Sequence, residues 1–148
     1  AEAAVPVRSF VAALLLCAAA AAAGEQVRRI DGYEIHYNAF RADFLPAAMS
    51  AKHGLTRAAD RALLNVTVLR PRSDATLEAI EAEVSATVAR DGASPVEVRL
   101  RPVREPGSVS YIGSFRLDGD DAYRFELTVK PFGASRAHVV RFRQVVQQ

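Results

Sequence analysis

The sequence predicts an all-β fold, an immunoglobulin-like antiparallel β-sandwich of about seven strands, with one short helix between the first two long strands. Three observations lead there. From Gln26 onward, apolar and polar residues alternate with a period of two, as in strands that bury one face. Gly, Pro and Asp residues interrupt the alternation at short intervals, as turns do. The 148-residue chain is 50% hydrophobic and 24% charged, a globular balance in a length that suits one domain. Two stacked antiparallel sheets are the simplest way to bury so many alternating faces. An up-and-down barrel is the competing arrangement, but lipocalin-like carriers need one strand more than this pattern supplies. The lack of Trp, and of a Cys pair, excludes an antibody-type domain but not the wider sandwich architecture.

Residues 1–24 read as an export signal, leaving 25–148 as a single β-sandwich domain. Arg8 is followed by an uncharged run whose apolar part begins at Phe10 and ends in the small residues Ala18 to Ala23. As a helix, Phe10 to Ala23 would reach about 21 Å, short of the roughly 30 Å hydrocarbon core. The expectation is therefore a cleavable signal and a periplasmic protein with no stable membrane span after processing. Leu16, not a small residue, precedes Cys17, which argues against a lipid anchor. Loss of Cys17 with the signal would leave no disulfide, thiolate nucleophile or Cys-based metal site.

The first clear strand alternates Tyr33, Ile35, Tyr37 and Ala39 on one face with Glu34, His36, Asn38 and Phe40 on the other, after an Asp31-Gly32 turn. Pro46 to His53 reads as a two-turn helix, with Pro46 in its first turn and Gly54 as its C-cap, turning Leu45 and Met49 inward. Arg61 to Arg70 is apolar on both faces, which suggests a central strand covered on each side. Pro71 ends it.

Residues 77–90 fit two templates. Leu77, Ile80, Val84 and Val88 suit a helical face; Ile80, Ala82, Val84, Ala86 and Val88 suit a strand. The strand is preferred because its neighbours need a sandwich partner. Asp91-Gly92 then turns toward a strand in which Val96, Val98, Leu100 and Pro102 share a face. Tyr111, Gly113, Phe115 and Leu117 alternate next, and Asp118-Gly119 signals a hairpin. Tyr123, Phe125, Leu127 and Val129 follow, and Ala137 to Val146 forms the last strand, with His138, Val140 and Phe142 on one side.

Chemistry is sparse. Nineteen Lys and Arg against 17 Asp and Glu give a formal net charge of +2, too small an excess for nucleic-acid binding. His36, His53 and His138 have no metal-ligand spacing, and neither a Gly-x-Ser-x-Gly elbow nor a phosphate-cradling loop occurs. No cofactor is expected. The Asp118-Gly-Asp-Asp121 turn has too few ligands for a calcium loop. Asn65-Val-Thr67 is a glycosylation sequon inside a strand, where a glycan would clash with packing.

One constellation stands out. Glu34, His36 and Asn38 share a strand face, as do Asn65 and Thr67, and pairing of the two strands would join them in a polar cluster. Its simplest role is to fix register and tie down the helix-bearing loop. The alternative is a ligand site, with Arg57 and Arg61 as anion partners. Arg99, Arg101, Arg141 and Arg143 point outward and could meet an acidic partner.

The octet Tyr33-Glu-Ile-His-Tyr-Asn-Ala-Phe40, with Gly54-Leu-Thr-Arg57 and Arg61-Ala-Leu-Leu-Asn65-Val-Thr-Val68, resembles a family of small exported proteins of Gram-negative bacteria, domain of unknown function number 4426. The resemblance covers essentially all of residues 25–148; Ala89-Arg-Asp-Gly-Ala93 departs from the polar turn the family tends to show there. It implies an exported, periplasmic, β-rich domain and functional interest in Tyr33, His36, Asn38, Arg61 and Asn65, and it transfers no activity. The expected function is a non-enzymatic binding or interaction module for an envelope or periplasmic protein. A small-ligand carrier or enzyme built around His36 is one alternative, and a structural subunit of an envelope assembly another.

Overall fold

The computed structural model describes residues 26–119 and 122–146. The expected export signal with Cys17 lies outside the described residues, as do Asp120 and Asp121 of the acidic turn. Asp31 and Gly32 both take positive φ, 50° and 80°, the geometry of a two-residue hairpin whose twist matches its strands. They join β1 (Gln26–Ile30) to β2 (Tyr33–Arg41) with Ile30 opposite Tyr33. The turn was legible; the strand before it was not. A 3-10 turn (Ala42–Phe44) and α1 (Ala47–His53) come next, with Pro46 as N-cap and Gly54 closing the helix at φ 62°. The remaining strands are β3 (Arg61–Pro71), β4 (Leu77–Ala79), β5 (Ala82–Arg90), β6 (Val96–Val98), β7 (Arg101–Glu105), β8 (Ser108–Arg116), β9 (Ala122–Pro131) and β10 (His138–Val145).

The strands form two sheets. The larger runs β1-β2-β3-β8-β7, with β4 also paired to β3; the smaller runs β10-β9-β5-β6, and every pairing is antiparallel. The all-β, two-sheet architecture with one short helix is as expected, and neither sheet closes into a barrel. The count of seven is corrected to ten among the described residues. Besides β1, two segments expected as single strands each change sheet and become two. Residues 77–90 leave the larger sheet after β4 and enter the smaller as β5. At this step the Ile80 N–H donates to Val68 O (2.9 Å) and the Ala82 N–H to the Tyr111 hydroxyl (2.8 Å). The second segment leaves the smaller sheet after β6 and joins the larger as β7. Its expected apolar face is also corrected, since Val96 and Pro102 are exposed while Val98 is buried.

The second crossing explains Gly113. A Cβ there would lie 2.4 Å from Arg99 O and 2.9 Å from a Val98 methyl, so only glycine lets the crossing chain rest on β8. The Asp118-Gly119 hairpin is also corrected: β8 and β9 belong to different sheets. Here the Asp118 N–H donates to the Tyr123 hydroxyl (2.9 Å).

The main core lies between the sheets, where Ile35, Leu64, Val66, Val68, Leu127, Val129 and Val140 are fully buried. An aromatic chain crosses it: Tyr37 on Phe142 (centroids 4.4 Å apart), Phe142 stacked on Phe125 (4.6 Å), and Phe125 edge-on to Phe115 (5.5 Å). A second core covers the other face of the larger sheet. There Leu45, Met49 and Leu55 of the helical segment pack on Phe40, Leu63, Val103 and Ile112. The double-sided apolar character of β3 has its cause here. The helical segment is a roof over the sheet.

Candidate functional site

Period-two alternation carries Glu34, His36 and Asn38 of β2 to the roofed face, and register sets them beside β3 with His36 opposite Thr67 and Asn38 opposite Asn65. The polar row expected from the sequence is therefore formed, and β8 extends it: Thr67 Oγ1 shares a 2.9 Å hydrogen bond with Ser110 Oγ. Asn38, Asn65 and Ser110 are buried. The Asn65 Oδ1 accepts no hydrogen bond among the described residues. Ser110, which the sequence reading missed, lies in the flank of a strand whose apolar residues dominate the pattern.

Two His–carboxylate pairs lie at the margins of this face. His36 Nε2 is 2.9 Å from Glu34 Oε2, and that hydrogen bond, with help from Arg29, holds the Glu34 carboxyl below its ordinary range. At the roof, Lys52 Nζ donates to Glu105 Oε2 (2.8 Å) and His53 Nε2 lies 2.7 Å from Glu105 Oε1. The Lys52 bond first, then that of His53, lowers the Glu105 pKa. His138 instead faces Asp31 at 3.6 Å, so the three histidines do not converge. Among the described residues no group of three or more His, Cys, Asp or Glu side chains is placed to hold a metal ion.

The other predicted residues part company. Tyr33 packs against the main core, on the opposite face of β2 from His36, because odd and even residues of a strand cannot share a face. Arg57 donates to Asp43 O (3.0 Å) and so ties the roof to the 3-10 turn. Arg61 lies elsewhere again, in a cleft of about 330 Å³ at the corner where the crossing chain meets β8. Arg61, Arg99 and Arg101 line it together with Ser114, Gly54, Leu55 and Thr56. Arg61 Nη2 donates to Ser114 Oγ (2.8 Å) and Arg101 Nη2 to His53 O.

Most arginines outside the cleft, though neither Arg28 nor Arg57, have a carboxylate partner among the described residues. Arg29 is paired with Glu34, Arg41 with Asp43, Arg70 and Arg72 with Glu78, Arg104 with Glu81, and Arg143 with Asp91. Arg141, expected to be open to a partner, is held by Glu126 at 2.9 Å. Among the described residues, neither Arg61, Arg99 nor Arg101 has a carboxylate partner, and no carboxylate lines the cleft. Three arginines lining one cleft without a lining carboxylate make a local excess of positive charge on a nearly neutral protein. The sequence offered only a partial signal, since Arg99 and Arg101 alternate on a strand and Arg61 is distant.

A two-sheet β domain with one face roofed by a short helix is thus the class of protein defined by the fold. The family model Domain of unknown function (DUF4426) matches residues 27–147, and the chain belongs to that family. A solved DUF4426 family protein from Pseudomonas aeruginosa PAO1 superimposes with a TM-score of 0.73 at 23% identity, covering 84% of this chain and 95% of that one. FetP from uropathogenic Escherichia coli strain F11 has a similar fold in two structures, one a copper-bound variant and the other the protein as isolated. Both have a TM-score of 0.61, at 13% and 14% identity, and cover 82% of this chain and 93% of theirs. No curated protein matches the chain.

Proposed function

We propose that the protein is an exported, non-enzymatic binding module of the periplasm, and that it binds through the roofed side of its larger sheet. The carrying observation is the arginine cleft: two of its three cations are positioned by neutral acceptors, and none is neutralised by a carboxylate among the described residues. Catalysis around His36 has less support. The hydroxyl opposite His36 is that of Thr67, and it is engaged with Ser110 Oγ at 2.9 Å, an arrangement that activates neither as a nucleophile. The polar row then serves as a register pin under the roof. A two-sheet body, which the sequence likens to an immunoglobulin-like sandwich, also offers loops and sheet edges for gripping another chain. Export is supported by the basic, apolar and small-residue order of 1–24. The FetP sample that shares this fold was made in the periplasm of Escherichia coli.

Two measurements test the reading. Expressed with its leader, the chain should appear in the osmotic-shock fraction, shortened by about the mass of residues 1–24. Native mass spectrometry of that material should then show a bound species. Material that is retained in the cytoplasm, or that is released from the periplasm carrying nothing, contradicts the proposal.

A further inference from the structure

We propose that the cleft between Arg61, Arg99 and Arg101 is a binding site for a multiply charged oxyanion group, either a phosphoryl group or a cluster of carboxylates. The inference rests on the binding-module reading and gives that site its ligand chemistry. Three geometric facts support it. The three arginines that line the cleft come from separate parts of the fold: Arg61 from β3, Arg101 from the first residue of β7, and Arg99 from the crossing between the sheets. Two of them are held without being neutralised, Arg61 by the Ser114 hydroxyl and Arg101 by the His53 carbonyl, so their remaining N–H donors stay available. Arg99 is fixed at its backbone, where its carbonyl lies against Gly113.

Pre-positioned guanidinium forks match the paired oxygens of carboxylates and phosphates. A volume of about 330 Å³ admits a small anion or the charged end of a larger molecule. The formal charge of the three arginines calls for a ligand of two or more negative charges. A site of this kind weakens as salt screens it.

The test is calorimetric titration of the folded chain with inorganic phosphate and, separately, with citrate, at low ionic strength. Binding of one ion per chain is expected for at least one of the two, and the arm that responds distinguishes phosphoryl from carboxylate recognition. Arg99→Gln, at an exposed residue with no side-chain hydrogen bond among the described residues, should preserve the fold and weaken binding about tenfold or more. Arg61→Gln should do the same. Arg141→Gln, on the smaller sheet, should leave binding unchanged. Failure of both ions to bind overturns the inference, as does binding that Arg99→Gln and Arg61→Gln leave intact. A bound species that is uncharged or cationic in the native mass spectrum also overturns it, while leaving the binding-module reading in place.

Discussion

Asn65 sits under the roof with its Oδ1 buried and without a hydrogen bond among the described residues. Such an acceptor forfeits its hydration, which costs about 1–3 kcal/mol. Asn65→Leu, close in shape and free of that cost, should leave stability unchanged or raise it by about 1 kcal/mol in urea unfolding. A loss above about 2 kcal/mol would mean that the carbonyl has a partner in solution. Gly113 makes the opposite point. Gly113→Ala places a methyl group against the Arg99 carbonyl, where backbone must yield. The same unfolding measurement should show a loss of about 1–3 kcal/mol. The two substitutions separate a tolerated imperfection from a required contact.

The roof is the element whose stability is most conditional. Seven residues of helix cannot persist alone in water, so α1 depends on Leu45, Met49 and Leu55 below it and on Glu105 at its end. The folded Glu105 pKa is lowered from 4.5, so the unfolded chain takes up this proton first as pH falls. The contribution of Glu105 is therefore complete above about 4.5 and is lost as pH drops through the lower folded value. Hydrogen-exchange protection of Ala47–His53 should decrease through that acidic range while the β9 amides stay protected. Glu105→Gln should leave the roof weakly protected at neutral pH and abolish its acid response. Met49→Ala should cost about 2–5 kcal/mol in unfolding experiments, the price of a cavity at the buried contact.

At the scale of the whole molecule, the two sheets meet through the aromatic chain and through Gln144. The Gln144 Nε2 donates to Ala39 O (2.5 Å) and its Oε1 accepts from the Ala39 N–H (3.3 Å), joining β10 to β2 across the sandwich. Phe125 touches both Phe142 and Phe115 and is 2% exposed. Phe125→Ala should therefore remove about 3–5 kcal/mol of stability, measured by thermal or chemical unfolding.

The same scale explains what the sequence revealed. Alternation exposes a buried face, so the sandwich, the double-sided β3 and the inward Leu45 and Met49 were all legible. Alternation is blind to a change of hydrogen-bonding partner, and Ile80 to Val88 keeps one apolar face while its partners switch from β3 to β9. β1 was missed because Gln26–Ile30 carries mostly exposed residues. The polar row was legible because its members are two residues apart on paired strands. The cleft was not, since its arginines meet only after a crossing that Gly113 permits and no local pattern encodes.

Those two crossings have a mechanical consequence. Each is a continuous piece of backbone belonging to both layers, so the layers cannot slide past one another without breaking ladder bonds in both. The corner where Arg99 passes over β8 is tied in this way to both layers. An anion arriving there would meet a mouth already in shape, and would be accommodated by the side-chain tips alone.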